Sequence, residues 1–224
     1  MSKEQLPSIL PGMVWSMLWT QETVGPHRFR LLTARSHEEA AAEALSKLDL
    51  SNSEHRRLHE CAAMFAVLWP VARAGAVALS SVDLSGQRVL ELGCGLGLMS
   101  LVAAKQGAEV LATDHHPDAL SLVERNAEAN QLSVRTACVD WREVADLGTF
   151  DWVIASDVLF SFDGAEPLAN TIRQTLRPGG TGWVVDPARP WHDHFEKRVE
   201  ALGLRPKTKP VSYTHLTLPT ILLV

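Results

Sequence analysis

The sequence predicts an α/β protein with a doubly wound, mostly parallel sheet, and three observations support this fold class. From Arg88 onward, short apolar runs alternate with amphipathic helical stretches, which is typical of parallel strands joined by crossover helices. A turn with glycines at alternate positions follows the first of these runs. The chain has 224 residues, of which 46% are hydrophobic, and is long enough to bury one sizeable core.

On this interpretation the chain has three segments. Residues 1–87 form an N-terminal hairpin and helical extension, residues 88–210 form the α/β core, and residues 211–224 form a tail of different character.

Composition and charge disfavour some classes of binding partner. A formal net charge of −5 gives no overall attraction to nucleic acid or anionic lipid, so we expect neither nucleic acid nor a membrane as a partner. The three cysteines lie far apart without a C-x-x-C pair, which favours a reducing compartment. Prolines interrupt the apolar N-terminal stretch, which is too short to span a bilayer. We therefore expect a cytoplasmic protein without a targeting segment.

Turn and capping signals define the elements of the extension. The stretch "ETVGPHRFRLL", residues 22–32, predicts a hairpin. Ser36 and Glu39 form a capping-box pair that opens a helix, and Ser51 opens a second helix in the same way. A further helix is expected to begin at Pro70, because proline keeps its predecessor extended and is favoured at the first helical position.

The core contains five strand candidates and four helix candidates. The predicted strands are residues 88–92, 108–114, 133–140, 151–157 and 181–187. The predicted helices are residues 98–106, 117–131, 165–176 and 190–202, and glycine follows most of them closely. In such a sheet, ligands bind beyond the carboxyl ends of the strands, so the residues that follow each strand are the candidates for a site.

The loop after the first strand contains Gly93, Gly95 and Gly97. A dinucleotide fingerprint, G-x-G-x-x-G, requires glycine at position 98, where this chain has leucine. The ATP-binding loop is also excluded, because no Lys-Ser or Lys-Thr follows the glycines. Both observations disfavour a phosphate ligand, and with it a nicotinamide dehydrogenase.

Acidic residues surround this loop in the predicted sheet. Asp114 follows the second strand, where a carboxylate can accept hydrogen bonds from ribose hydroxyls, a feature that dehydrogenases share. Glu91 precedes the glycines and Asp140 follows the third strand. Two further acids would repel a pyrophosphate, whereas they suit a ligand with an amino group, a sulfonium and an adenine amine.

Four short motifs carry a resemblance to a known family. The sequences "ELGCGLG" (residues 91–97), "ATD" (112–114), "VDW" (139–141) and "ASDVLF" (155–160) resemble the motifs of Rossmann-like class I S-adenosylmethionine-dependent methyltransferases. More narrowly, they resemble the protein-lysine methyltransferases that include the enzyme acting on the electron-transfer flavoprotein β-subunit. The resemblance extends from about Gly25 to Gly203 and includes the Trp-Pro element in "FAVLWPVARAGA".

The resemblance implies S-adenosylmethionine as cofactor and assigns residues to it. The glycine loop would lie under the methionine portion, Asp114 would hold the ribose, and Asp140 with Trp141 would reach the adenine. We also expect Trp69 and Ser156 near the cofactor.

The motif after the fourth strand is the expected catalytic element. The family pattern is acid-x-x-Tyr, and this chain has Asp157 and Phe160 at those positions. Asp157 would position the acceptor amine, and the ring of Phe160 would stabilise its cation without the family's hydroxyl. The chain lacks the Asn/Asp-Pro-Pro-Tyr element of nucleobase and glutamine-amide methyltransferases, which argues against a nucleobase acceptor.

The function predicted from these motifs is N-methylation of a protein lysine. The alternatives are a methyltransferase for small-molecule amines and a non-catalytic cofactor-binding homologue, for which Phe160 gives some support. We expect no metal site, because His55 and His59 share a helical face without further ligands to complete one. His192 and His194 follow the fifth strand, where contact with the substrate is the less favoured interpretation.

The tail "VSYTHLTLPTILLV" differs from the rest of the chain. The methyltransferase fold has two more strands after Gly203, but residues 211–220 match one reading frame of a transposase adapter used for sequencing libraries. We therefore expect the tail to be read-through from a truncated gene fragment. The closing strand pair would then be missing, and an edge of the sheet would be left unpaired.

Overall fold

A computed structural model of the chain has a seven-stranded sheet flanked by helices, and it describes residues 17–46, 51, 64–143, 146–187, 189–213 and 216–223. The N-terminal elements are β1 (Met17–Val24), β2 (His27–Ala34), α1 (His37–Ser46), a 3₁₀ turn (Met64–Ala66) and α2 (Pro70–Leu79). The core begins with β3 (Arg88–Leu92), α3 (Leu98–Lys105), β4 (Glu109–Asp114), α4 (Pro117–Ala129) and β5 (Arg135–Cys138). It continues with β6 (Phe150–Ser156), α5 (Phe162–Thr175), β7 (Leu176–Val185), α6 (His192–Ala201), β8 (Pro206–Tyr213) and β9 (Leu216–Leu223).

The strand order of the large sheet is β5-β4-β3-β6-β7-β9-β8. Strands β3 to β7 pair in parallel, and β9 pairs antiparallel with both β7 and β8. The chain moves outward from β3 to β5 on one side and then returns to place β6 on the other side of β3. Because ligands bind where the strand order reverses, the carboxyl ends of β3 and β6 mark the expected site. The predicted α/β fold is confirmed.

Alternate residues of the central strands contribute to two hydrophobic layers. Val89 of β3 packs in the cluster that contains α2 and α3 residues, whereas Leu90 and Leu92 pack with residues of α5 and α6. This burial on both faces explains why the central strands read as continuous apolar runs in the sequence.

The N-terminal extension packs against the core through a buried amide. Asn126 of α4 accepts a hydrogen bond from the backbone N–H of Leu32 at 2.6 Å and donates one to the carbonyl of Leu96 at 3.0 Å. One side chain therefore links the hairpin, α4 and the loop after β3. An unpaired buried amide is costly, so this arrangement fixes the position of the hairpin.

Most sequence signals in the extension are confirmed. The hairpin turns at Gly25, and the backbone N–H of Glu39 donates to the Ser36 hydroxyl at 3.2 Å. Pro70 begins α2 after an extended Trp69. The second helix predicted from Ser51 lies outside the described residues.

One boundary in the core differs from the prediction. The sequence predicted a helix that ends at Leu176, then the turn Pro178-Gly179-Gly180 and a strand from Thr181; α5 ends at Thr175, within one residue of that prediction. Strand β7 begins at Leu176 and includes all three turn residues, with Leu176 opposite Phe150 in β6. Pairing resumes only at Thr181, opposite Trp152, so residues 177–180 bulge out and the local turn is kept inside the strand.

The prediction that the closing strand pair is missing is wrong for this structure. Residues 182–185 of β7 pair antiparallel with residues 220–223 of β9, and β8 pairs along β9 from Pro206 to Tyr213. The physical reason is that the tail is rich in threonine and branched aliphatic residues, which favour strands. Its backbone supplies hydrogen-bond partners to β7 that an unpaired edge would lack. The origin of the tail in an adapter stays a prediction.

Candidate functional site

A cleft of about 180 Å³ opens at the carboxyl ends of β3, β4 and β6, where the strand order reverses. Its walls bring together eight of the eleven predicted site residues, namely Trp69, Gly93, Gly95, Asp114, Trp141, Ser156, Asp157 and Phe160. The sequence did not identify five further lining residues, which are Met64, Phe65, His115, Val158 and Arg189.

The loop after β3 forms one wall of the cleft and requires glycine for two separate reasons. Gly93 and Gly97 have φ angles of 68° and 76°, which side chains rarely adopt. A Cβ atom at Gly93 would lie 2.8 Å from Val158, and one at Gly97 would lie 2.8 Å from Val123. Gly97 borders only a small extension of the cleft and allows the loop to pack against α4, whereas Gly93 and Gly95 line the main cleft.

Asp114 connects the end of β4 to the glycine loop. One carboxylate oxygen accepts the backbone N–H of Gly95 at 3.1 Å, and the other accepts the backbone N–H of His116 at 3.0 Å. The side chain is nearly buried yet lines the cleft. Since each carboxylate oxygen can accept more than one hydrogen bond, Asp114 can still accept from the hydroxyls of a ligand.

Glu91 does not supply the negative charge that we expected from the sequence. It is buried beneath the loop, where its carboxyl group accepts hydrogen bonds from the backbone N–H of Ser100 at 2.9 Å and from the Ser100 hydroxyl. Burial raises the pKa of Glu91 to about 8, against the effect of these hydrogen bonds. The side chain is therefore mostly protonated at neutral pH, although it borders a small extension of the cleft.

Asp140 and Trp141 have different positions, although the sequence grouped them. The Asp140 carboxylate accepts the backbone N–H of Arg142 at 2.9 Å, and this side chain does not line the cleft. The Trp141 ring does line the cleft and approaches Gly93. Of this pair, the structure brings only Trp141 to the cleft wall.

Aromatic side chains form much of the remaining wall. Phe65 stacks on His116 with their ring centroids 4.2 Å apart, and burial lowers the pKa of His116 to about 4, so its ring is neutral. Trp69 donates its indole N–H to the carbonyl of Met64 at 2.9 Å. Trp69 and Phe160 stay 36% and 40% exposed, so they form an apolar rim at the mouth. Phe65 belongs to the Trp-Pro element, and this element could have identified it from the sequence as a cleft residue.

Asp157 occupies an unusual backbone position directly after β6. Its φ angle is 61°, and its backbone N–H donates to the carbonyl of Val185 at 2.9 Å. The pKa of Asp157 is raised above its ordinary value, because burial outweighs the opposing effect of the ion pair with the Arg189 guanidinium. A non-glycine residue in this conformation stores strain, which the surrounding structure must hold in place.

Arg189 is the main site residue that sequence reasoning missed. It follows β7, and its guanidinium pairs with Asp157 and, at 3.3 Å, with the fully buried Asp186. The sequence signal that could have identified Arg189 is its place after β7, because an aspartate and an arginine follow this strand just as the other site residues follow theirs. His192 lies 3.8 Å from Asp186, and neither His192 nor His194 lines the cleft.

The described ranges contain neither a metal-binding cluster nor a helix suited to cross a membrane. No cluster of three or more histidine, cysteine, aspartate or glutamate side chains there could hold a metal ion. No helix among the described residues combines the length and the apolar character needed to cross a membrane. The predicted pair His55 and His59 lies outside the described residues.

Comparisons with known proteins identify the class of the chain. The family described as "Methyltransferase domain" matches residues 89–180. The protein N-lysine methyltransferase METTL21A of Danio rerio is 34% identical over 164 residues, which cover 65% of this chain and 74% of that protein. The calmodulin-lysine N-methyltransferase of Arabidopsis thaliana is 36% identical over 102 residues, 41% of this chain and 34% of that protein.

A third relative has a different kind of acceptor in its name. The ubiquinone biosynthesis O-methyltransferase of Rhizobium etli is 35% identical over 107 residues, which cover 47% of this chain and 43% of that protein. The chain thus spans less than half the length of the Arabidopsis and Rhizobium relatives.

Solved structures show the same fold at low sequence identity. The ribosomal protein L11 methylase of Lactobacillus delbrueckii subsp. bulgaricus has a TM-score of 0.56 at 18% identity, covering 69% of this chain and 77% of that chain. Magnesium protoporphyrin IX methyltransferase of Synechocystis PCC 6803, solved with its methyl donor bound, has a TM-score of 0.57 at 16% identity. That match covers 84% of this chain and 91% of the other.

The residues of the cleft fit the methyl donor. Gly93 and Gly95 leave the wall without side chains, Asp114 can accept hydrogen bonds from hydroxyls, and Phe65 and Trp141 offer apolar faces to a purine. Leu98 stands where a dinucleotide-binding loop has its third glycine, and the matched family is a methyltransferase family. The chain belongs to the class I S-adenosylmethionine-dependent methyltransferases, and S-adenosylmethionine is its cofactor.

Proposed function

We propose that this methyltransferase transfers a methyl group to the side-chain amine of a lysine in a protein. The observation that carries the proposal is the carboxylate of Asp157 in the cleft wall, close in sequence to the exposed ring of Phe160. The names of the Danio rerio and Arabidopsis thaliana relatives support a lysine acceptor. A carboxylate beside an aromatic face is suited to a primary ammonium group.

The cofactor, when bound, supplies a methyl group on a positively charged sulfur. Asp157 would hold the acceptor nitrogen and take part in removing its proton, because the attacking amine must be uncharged. Trp69 and Phe160 would line the path of the lysine stem and reduce the access of water. Alignment and a dry pocket are the main requirements of such an in-line displacement.

The remaining predicted residues would serve the cofactor. We assign Gly93, Gly95 and the neighbouring Gly97 turn to the methionine portion, and Asp114 to the ribose. Trp141 would contact the adenine.

Four residues have less direct assignments. Ser156 and Trp69 would border the space that the cofactor occupies, and Glu91 would support the glycine loop from beneath. Asp140 would contribute through the position of the loop after β5, not through a carboxylate in the cleft.

A small-molecule acceptor is the second candidate. The Rhizobium etli O-methyltransferase supports it, but the similarity covers only 47% of this chain. A non-catalytic cofactor-binding protein is the third interpretation. We further propose a cytoplasmic location from the three scattered cysteines, and neither nucleic acid nor a membrane as a partner from the net charge of −5.

The test uses S-adenosylmethionine with a labelled methyl group. The protein is incubated with a cell lysate, labelled proteins are separated, and methylated residues are identified by mass spectrometry. Asp157→Asn should lower the rate of labelling by about a hundredfold or more and leave affinity for S-adenosylhomocysteine within about threefold. Asp163→Asn is the matched control, because Asp163 is an exposed aspartate of α5 that does not line the cleft.

The outcomes separate the candidates. Label on lysine that depends on Asp157 supports the proposal. Label confined to small molecules would instead establish the second candidate. Binding of S-adenosylhomocysteine without any transfer would favour the non-catalytic interpretation. Unchanged labelling by Asp157→Asn would remove this residue from the catalytic assignment.

A further inference from the structure

Arg189 forms a bridge between two carboxylates at the edge of the cleft. One guanidinium nitrogen pairs with Asp157, and another lies 3.3 Å from the carboxylate of Asp186. The backbone N–H of Arg189 also donates to Asp186 at 2.8 Å, which fixes the start of this segment. The bridge thus joins the residue after β6 to the loop that follows β7.

Burial makes this bridge different from a surface ion pair. The Asp186 side chain is fully buried, that of Asp157 is 10% exposed, and that of Arg189 is 30% exposed. Buried carboxylates are costly unless they are paired with a cation. Here two carboxylates share one guanidinium, so the three side chains together carry a net negative charge. One more cation would balance that charge.

The geometry leaves a place for that cation on the cleft side. Arg189 holds one oxygen of Asp157, and both residues line the cleft. The other terminal nitrogen of Arg189 lies 3.3 Å from Asp186, so the planar guanidinium is itself held in place while it contacts Asp157. The ammonium group of an incoming acceptor could therefore meet an Asp157 carboxylate that is already oriented.

We propose that Arg189 is a positioning residue that keeps Asp157 ionised and oriented, so that the site selects a cationic acceptor. This inference rests on the proposed function, in which Asp157 contacts the acceptor amine. Arg189 itself touches neither the acceptor nor the transferred methyl group in this scheme.

The charges around Asp157 determine what loss of Arg189 would do. Arg189 and Asp186 face it from the loop after β7, His192 lies behind Asp186, and Asp114 and His115 line the same cleft. Burial and Asp186 both raise the pKa of Asp157, whereas Arg189 lowers it. Without Arg189, Asp157 would be protonated over a wider pH range and could not hold an ammonium group.

The experiment measures the protonation of Asp157 directly. Aspartate carboxyl carbons are labelled with ¹³C, the Asp157 signal is assigned with Asp157→Asn, and its pH titration is followed with S-adenosylhomocysteine bound. Arg189→Gln should raise the pKa of Asp157 by about one to two units, and Arg189→Lys should keep it within about half a unit of the wild type. The control is Arg177→Gln, which removes a 2.5 Å ion pair with Asp151 outside the cleft and should change nothing.

A second measurement links this titration to catalysis. Initial rates of lysine labelling are compared with the wild type from about pH 6.5 to 9. Arg189→Gln should lose more rate at the acid end of this range than at the alkaline end, where it should approach the wild-type rate because Asp157 is ionised there. A purely structural defect would lower the rate by the same factor at every pH.

Each outcome bears on one proposal. An unchanged Asp157 titration in Arg189→Gln, a pH-independent loss of rate, or an Arg189→Lys variant as impaired as Arg189→Gln would overturn the role of Arg189. A wild-type protein that methylates no lysine would overturn the proposed function, while the titration would still report whether Arg189 controls Asp157.

Discussion

Substitution of Asp114 by alanine should weaken cofactor binding strongly and lower stability moderately. The substitution removes the carboxylate offered to the ribose hydroxyls and the acceptor for the backbone N–H groups of Gly95 and His116. Loss of charge-assisted hydrogen bonds to the ligand corresponds to about 2 kcal/mol, or roughly a thirtyfold rise in Kd. The two orphaned backbone groups should cost a further ~1 to 3 kcal/mol of unfolding free energy. Calorimetric titration with S-adenosylhomocysteine and urea denaturation measure the two effects.

Two further variants identify the cause of any loss in affinity. Asp114→Asn keeps the shape of the side chain and one acceptor oxygen, so it should bind more tightly than Asp114→Ala. Asp83→Ala removes a carboxylate that accepts the backbone N–H of Ser85 at 3.0 Å, but it lies away from the cleft and should leave Kd unchanged. An Asp114→Ala protein that binds within threefold of the wild type would refute the reasoning. So would tight binding of NAD in place of S-adenosylhomocysteine.

Three other predictions test the loop, the buried acid and the last strand. Gly97→Ala should lower the unfolding free energy by about 2 to 3 kcal/mol and Gly86→Ala by about 1 kcal/mol. Both positions have a positive φ angle, but only a Cβ atom at Gly97 would also collide with Val123. Equal losses in urea denaturation would contradict this reasoning. Glu91 binds its proton more tightly in the folded chain, with a pKa of about 8, so its stabilising contribution is complete below about pH 4.5 and is lost as pH rises through about 8. Relative to Glu91→Gln, the wild type should lose up to about 1.4 kcal/mol of unfolding free energy per pH unit between about pH 5 and 8, and parallel stability curves would exclude this. A chain shortened after residue 213 lacks β9 and exposes the edge of β7. It should therefore melt several degrees lower than the full chain and aggregate more. An unchanged melting temperature would show that the pairing of β7 with β9 contributes nothing to stability.

The sequence predicted the central fold well because the relevant signals are local. Apolar runs such as the one at residues 88–92 become central strands, and Pro70 marks a helix start whatever packs around it. Eight predicted residues meet in the cleft because each ends or follows a strand or belongs to the Trp-Pro element, and the topology brings those positions together.

The failures concern pairing and charge, which depend on neighbours distant in sequence. Strand β7 begins five residues earlier than predicted because Leu176 pairs with Phe150 of β6, and residues 177–180 bulge out before pairing resumes at Thr181. The partner of Asp157 was missed because Arg189 is 32 positions away and reaches it only after β6 and β7 pair. The strand at residues 216–223 was missed because the resemblance of the tail to an adapter was given more weight than its β propensity.

S-adenosylmethionine carries no phosphate, as the sequence argument required of the ligand, but the structure changes part of the electrostatic reason. Besides the glycine spacing, the sequence argument relied on Glu91 and Asp140, but burial keeps Glu91 protonated at neutral pH and Asp140 does not line the cleft. The relevant carboxylates are those of Asp114 at the end of β4 and Asp157 at the end of β6, the two strands that pair with β3 on either side. The glycine loop after β3 therefore lies between two acidic side chains, of which one shares its counter-ion with Asp186. A ligand over this loop would meet negative charge from both sides, which favours a cationic methyl donor over a pyrophosphate.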